Sequence, residues 1–274
     1  MVKGELRSIM GESKLLILDL DNTLYDWMEA YTESIMAQIA FISNETKIDR
    51  ESIQSSFKRV FKKYGSVEVP YAVYELDMWE KVSINNSRLK EIQESSCNLF
   101  MLTLKQTLKL YPTVLETLEW AKSNNITIVG LSDAFSYWIN ERLKILGIIG
   151  YFDQVFATKD NIIQIENFHY HEKICSVSAN ANKPNPDIID RIKKSYKIDT
   201  QSIFIVGDSI DKDIKLAQET GIHGVWAKYG TNHKKGYGTY LSKLTPWTKG
   251  AHNKVSIKPH YTISSFDEII KIIG

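Results

Sequence analysis

At 274 residues the chain has room for one or two domains of roughly 100–200 residues each. Hydrophobic residues make up 43% and charged residues 24%, which supports a sizeable core and excludes wholesale disorder, a collagen-like repeat or a coiled coil. Lys plus Arg number 34 against 33 for Asp plus Glu, so the net charge of +1 argues against nucleic acid or an anionic membrane as a partner. Cys97 and Cys175 stand far apart in no CxxC pattern, which points away from a disulfide scaffold or structural zinc and towards a reducing compartment. After Lys3, Arg7 and Lys14 the apolar run is only Leu15 to Leu18, too short for a signal peptide. No run approaches the ~20 residues of a membrane span. A soluble cytoplasmic protein is the expectation.

Leu15 to Leu18 is a short aliphatic run ending in polar residues, the pattern of a buried strand in a parallel sheet. From about Tyr25 to Lys109 the period becomes helical. Tyr31, Ile35 and Ile39 form one apolar stripe, and Ile53, Phe57, Phe61 and Tyr64 another, with a break over residues 65–70. From Tyr111 the chain alternates. Pro112 is placed as the first-turn proline of a helix reaching about Asn124, and Ile126 to Asp133 reads as a second strand. Ser136 reads as the cap of a helix with Ile139, Leu143 and Leu146 on one face and Gly147 past its end. Gln154 to Thr158 is a third strand, and Asn185 and Pro186 open a helix carrying Ile188, Ile189 and Ile192. Ser202 to Asp208 is a fourth strand, followed by a helix ending at Gly221, and His223 to Ala227 is a fifth. Alternating strands and helices predict an α/β fold with a Rossmann-like parallel sheet core, interrupted after the first strand by a helical insertion. Residues 159–182 and 228–260 exceed ordinary βα loops. Each follows a strand, at the edge where open α/β sheets bind ligands.

The chemistry concentrates at that edge. Asp19 and Asp21 lie two apart at the end of the first strand, and the strand period puts both on one side. Converging carboxylates repel unless a cation or a shared proton offsets them. The fourth strand ends in Gly207 and Asp208, with Asp211 and Asp213 close behind. If these strands are neighbours, several hard oxygens crowd one spot, which suits Mg²⁺. Ser132, with the backbone amides of a strand-to-helix junction, could hold a phosphoryl oxygen, and Lys183, fixed before Pro184, could present a positive charge to a transferring phosphoryl group.

The ordered set Asp19-Leu20-Asp21-Asn22-Thr23-Leu24, Leu131-Ser132-Asp133, Lys183-Pro184 and Gly207-Asp208 through Asp213 resembles the haloacid dehalogenase (HAD) superfamily over about residues 13–24 and 111–227. The helical insertion is similar to that superfamily's C1-type cap. The resemblance implies a discontinuous catalytic core, 1–24 and 110–274, with an inserted α-helical cap domain over 25–109. It implies a Mg²⁺-dependent phosphomonoester hydrolase acting on a small phosphorylated metabolite, of the nucleotide or sugar phosphate class, through an aspartyl-phosphate. Asp19 would be the nucleophile and Asp21 the general acid and base. Asp19, Asp21 through its main-chain carbonyl, Asp208 and Asp213 would hold the metal, and Asp211 would be an accessory at most. Ser132, Asp133, Lys183 and Asn22 would bind substrate. A dehalogenase lacks an acid at the second aspartate, so Asp21 favours a phosphate ester. A phosphomutase also keeps both aspartates. A non-catalytic phosphate-binding protein on this fold would be expected to have lost one of them.

Two features depart from the simple pattern. His169 and His171 form a His-x-His pair without further ligands in register, and read as surface histidines. Between Thr220 and Phe266 there is no acidic residue, while Lys228, Lys234, Lys235, Lys243, Lys249, Lys254 and Lys258 alternate with Tyr229, Tyr237, Tyr240 and Trp247. That segment is expected either to help hold a multiply anionic substrate or to be a solvated loop packed by its aromatics.

Overall fold

The computed structural model describes residues 13–69, 71–160, 168–245 and 257–274. Seven parallel strands form one sheet among the described residues: β1 (Leu15–Leu18), β2 (Thr127–Phe135), β3 (Gln154–Thr158), β4 (Ile174–Val177), β5 (Ile203–Gly207), β6 (His223–Ala227) and β7 (Tyr261–Ile263), in the order β4-β3-β2-β1-β5-β6-β7. The fourth and fifth strands of the sequence reading are therefore β5 and β6. β4 lies within residues 159–182, read above as a long loop, and β7 lies just past 228–260, where the sequence predicts no element. Both are half-exposed edge strands without a continuous apolar run.

Strand alternation splits the core into two layers. Leu16 and Leu18 face the layer of α4 (Val114–Ser123), α5 (Ser136–Ile145) and α9 (Glu268–Ile273). Leu15 and Ile17 face that of α6 (Asp187–Tyr196) and α7 (Lys215–Thr220). β1 is central, with β2 on one side and β5 on the other, so the crossovers run in opposite directions from it. Such a switch point opens a crevice at the carboxyl ends of the strands.

The chain between β1 and α4 is helical. Asp26 caps α1 (Trp27–Thr46) by accepting from Glu29 N, Asp49 caps α2 (Arg50–Tyr64) by accepting from Ser52 N, and Asn85 caps α3 (Asn86–Thr107) by accepting from Arg88 N. Their apolar stripes meet in a second core around Ile35, Ile39, Phe57 and Phe61. The two chain passages joining this block to the sheet are bonded to each other, Asp26 N to Lys109 O and Tyr111 N to Leu24 O. Among the described residues no helix is long and apolar enough to cross a membrane.

Two local expectations are corrected. Ser136 does not cap α5: its hydroxyl donates to Thr158 O, and the Asp160 carboxylate accepts from Tyr137 N instead. Pro112 precedes α4 by two residues, with Thr113 at positive φ as the junction.

The lysine-rich segment also folds differently. After β6 it forms a short turn and then α8 (Tyr237–Leu244), whose Leu241 and Leu244 enter the core of the helical block. Lys234 and the Tyr237 hydroxyl are spent on Glu33 of α1. Tyr229 packs on Tyr111 and donates to Thr23 O. Trp247, Lys249 and Lys254 lie outside the described residues.

Candidate active site

A cleft of about 330 Å³ lies at the carboxyl ends of β1, β2 and β5, roofed by the chain between α2 and α3. The approach of β1 fixes its floor. Asp19 N still donates to Val206 O of β5, after which the chain turns through Asn22 at φ 60°. Asp19 and Asp21 both line the cleft. The Thr23 hydroxyl, fully buried, donates to Asp19 Oδ2 at 3.0 Å and accepts from Asp208 N at 3.1 Å. One side chain thus fixes the carboxylate after β1 and the backbone after β5.

Two glycines make these approaches possible. A Cβ on Gly207 would lie 2.2 Å from Asp213 Cγ, so only glycine leaves room for Asp213 to fold back to the strand end. A Cβ on Gly230 would lie 1.9 Å from Asn22 O, against the turn that presents Asp21.

Lys183 enters from the segment before α6. Its ammonium lies 2.5 Å from Asp19 Oδ1 and 2.8 Å from Asp213 Oδ1, and its backbone N–H donates to Asp133 Oδ1 at 2.9 Å. Asp213 Oδ2 accepts from Ser209 N. Oxygens of Asp19, Asp208 and Asp213 lie within 4.8 Å of one another, and no comparable group of three or more His, Cys, Asp or Glu occurs elsewhere among the described residues. One ammonium facing three carboxylates leaves an excess of negative charge. Burial, reinforced by Asp19 and Asp213, pushes Asp208 up to about 8. Burial likewise pushes Asp213 up to about 6 against the pull of Lys183. Desolvation alone would lower Lys183, but Asp19 and Asp213 outweigh it and hold the ammonium well above its usual range. An all-oxygen group short of positive charge is the donor set of a hard divalent cation.

On the other wall Asp21 meets a cation that the sequence reading missed. Arg142 of α5 is 1% exposed, and its Nη1 donates to Asp21 Oδ1 and Oδ2 at 2.9 and 3.1 Å. Nη2 donates to Glu68 Oε1, which also accepts from Trp27 Nε1 at 2.7 Å. The guanidinium lies 5.9 Å from the Trp27 ring centroid and 5.7 Å from that of Trp138, and Trp138 Nε1 donates to Glu68 O. Burial raises the Asp21 carboxyl above the usual range, with Arg142 opposing and Asp19 adding to the rise. A carboxyl that holds its proton more firmly is suited to giving it to a leaving oxygen.

Asp19, Asp21, Asn22, Ser132, Asp133, Lys183, Asp208 and Asp213 all line the one cleft. Ser132 and Asp133 fall inside β2 rather than at its end. The pairing with β3 shifts register between Leu131 and Phe135, an irregularity of the kind that re-aims side chains beside sites. The Asp133 carboxylate is engaged by Lys183 N and Lys212 Nζ, and Asn22 Oδ1 by Met28 N, so both organise their surroundings. None of the described lysines between 228 and 258 lines the cleft. Thr23, Glu68, Arg142 and Lys212 carried no role in the sequence reading. Thr23 and Lys212 stand within the quoted motifs, and Arg142 had a signal of its own, a cation three residues after Ile139 on the apolar stripe of α5.

A family model described as haloacid dehalogenase-like hydrolase matches residues 13–221. The chain is similar to a phosphoglycolate phosphatase of Nitrosococcus oceani, 23% identical over 82% of this chain and 88% of the relative. It is also similar to a glyceraldehyde 3-phosphate phosphatase of Methanopyrus kandleri, 24% identical over 79% of this chain and 84% of the relative. In fold it resembles a 2-haloacid dehalogenase of Pseudomonas syringae, with a TM-score of 0.61 at 18% identity, covering 95% of this chain and 98% of that one.

Proposed function

The chain belongs to the haloacid dehalogenase-like hydrolase family, and we propose that within it the protein is a Mg²⁺-dependent phosphomonoesterase acting on a small phosphorylated metabolite. The observation that carries this reading is the placing of Asp19 and Asp21 in one cleft, the first held by Thr23 and Lys183 and the second by Arg142. The names of the two phosphatase relatives support a small phosphate ester as substrate.

Thr23 and Lys183 hold the Asp19 carboxylate still, so it meets phosphorus without first paying for its own orientation. An Asp19 oxygen attacks phosphorus, the P–O ester bond breaks, and the departing oxygen takes the proton of Asp21. Asp21, now a carboxylate, removes a proton from water, which attacks the phosphorus of the aspartyl-phosphate. Inorganic phosphate leaves, and Asp19 and protonated Asp21 are restored. Ser132 and Lys183 bind phosphoryl oxygens. Asp133 holds Lys183 through its backbone N–H, and Asn22 shapes the turn that carries Asp21. Asp19, Asp208 and Asp213, with the Asp21 main-chain carbonyl, would hold Mg²⁺. When bound, the ion supplies positive charge against the phosphoryl oxygens, where most of the catalysis of phosphoryl transfer lies.

The helical block of α1, α2 and α3 serves as the cap. It contributes Trp27, Ser66, Val67 and Glu68 to the cleft. Closed over the site, it excludes water and contacts the leaving group. Phosphate release from an aryl phosphate tests this reading: activity in Mg²⁺ that EDTA and Asp19→Asn both abolish supports it. Activity indifferent to EDTA or to Asp19→Asn contradicts it.

A further inference from the structure

We propose that the leaving group of the substrate is neutral and hydroxyl-bearing, and that Glu68 is the side chain that excludes a carboxylate from it. The inference deepens the phosphomonoesterase reading and rests on it. Asp21 and Glu68 bind the two terminal nitrogens of one guanidinium, so their carboxylates are held side by side, and both line the cleft. A leaving oxygen close enough to take a proton from Asp21 therefore carries its substituent past Glu68.

Glu68 faces that substituent as an acceptor. Its Oε1 accepts from Trp27 Nε1 and from Arg142 Nη2, the cation with which it forms a buried ion pair. Its Oε2 makes no hydrogen bond to any described residue. A substrate hydroxyl can donate to such an oxygen. A substrate carboxylate cannot, and would meet a like charge in a site that excludes water.

Binding a carboxylate at this end would need a cation, and each candidate is committed. Arg142 is buried behind Asp21 and Glu68 and does not line the cleft. Lys183 stands at the phosphoryl end between Asp19 and Asp213. Lys212 is paired with Asp133. The remaining wall on the roof side, Trp27, Ser66 and Val67, is neutral.

Matched substrates test this: glycerol 3-phosphate against 3-phosphoglycerate, and glucitol 6-phosphate against 6-phosphogluconate. Each pair differs by a carboxylate on the leaving group. Wild-type enzyme is expected to favour the neutral member in kcat/KM by about tenfold or more, and Glu68→Gln to narrow that ratio. A carboxylated member cleaved as well as its neutral partner overturns the inference, as does a ratio unmoved by Glu68→Gln. If that variant does not fold, the wild-type ratio decides alone. Phosphate release from none of a broad panel would overturn the phosphomonoesterase reading itself, and this inference with it. That outcome is distinguishable because it shows no hydrolysis rather than the wrong preference.

Discussion

Gly207 and Asp213 occupy mutually dependent space: the strand end lacks a side chain where the carboxylate folds back against it. The close approach puts Asp213 beside Lys183 Nζ and within reach of Asp19 and Asp208. Gly207→Ala should push Asp213 out of the cluster. The Mg²⁺ concentration for half-maximal activity is expected to rise by about tenfold or more, as when a metal site's supporting shell is disturbed. Titrating activity with Mg²⁺ in both proteins checks this; an unchanged midpoint would show that Asp213 does not act on the ion.

The carboxylate cluster gives metal-free protein a characteristic response to pH. Folded, Asp208 is pushed up to about 8 and Asp213 to about 6, burial being the first cause in each. Unfolded, both titrate near the ordinary aspartate value of 3.8. Between these limits the folded chain keeps protons that the unfolded chain has lost, so this contribution to stability falls as pH rises. It is complete below the unfolded value and gone above the folded ones. Because a metal displaces those protons, the rise in Tm on adding Mg²⁺ should be larger near pH 8 than near pH 5. Thermal melts with and without Mg²⁺ at the two pH values provide the comparison, and an equal or reversed gain would contradict it.

Arg142 is buried between two carboxylates from different parts of the chain, Asp21 after β1 and Glu68 in the roof. Removing it strands the Glu68 charge and leaves Asp21 without its buried donor. Arg142→Met is expected to cost about 3–5 kcal/mol in urea unfolding, the range for breaking one side of a buried ion pair. Arg142→Lys should recover only part of the loss, since one ammonium cannot reproduce two directed nitrogens. Wild-type stability in Arg142→Met would mean the network contributes nothing to the fold.

Lys183 makes a different prediction. It holds Asp19 by its ammonium and is itself held by Asp133 through the backbone. Lys183→Met should lower kcat by about 100-fold or more, the scale of losing one preorganised charge at a reacting centre. A change confined to KM would argue that Lys183 only binds the ground state.

Much of this was legible in the sequence, for physical reasons. β1, β2 and β5 are buried on both faces, so Leu15–Leu18, Ile128–Leu131 and Ile203–Val206 appear as unbroken apolar runs. The polar residues at their ends are the ones that meet in the cleft. β4 and β7 escaped notice because an edge strand with exposed residues carries no such run. Glu68 lies in a stretch with no periodicity, and its partner is 74 positions away, a pairing that only the packed chain specifies. The surroundings of the lysine-rich stretch are hidden for the same reason. Local composition shows lysines beside tyrosines, but Glu33, which takes both Lys234 and Tyr237, comes from α1.

In the proposed mechanism Asp19 becomes covalently phosphorylated. This is tested most directly by acid-quenching the enzyme during turnover of an accepted phosphate ester in Mg²⁺, then mapping phosphoryl groups by peptide mass. One phosphoryl group is expected on the peptide containing Asp19, absent after EDTA and absent in Asp19→Asn. Steady phosphate release with no adduct on that peptide, and with Asp19→Asn still active, would contradict it.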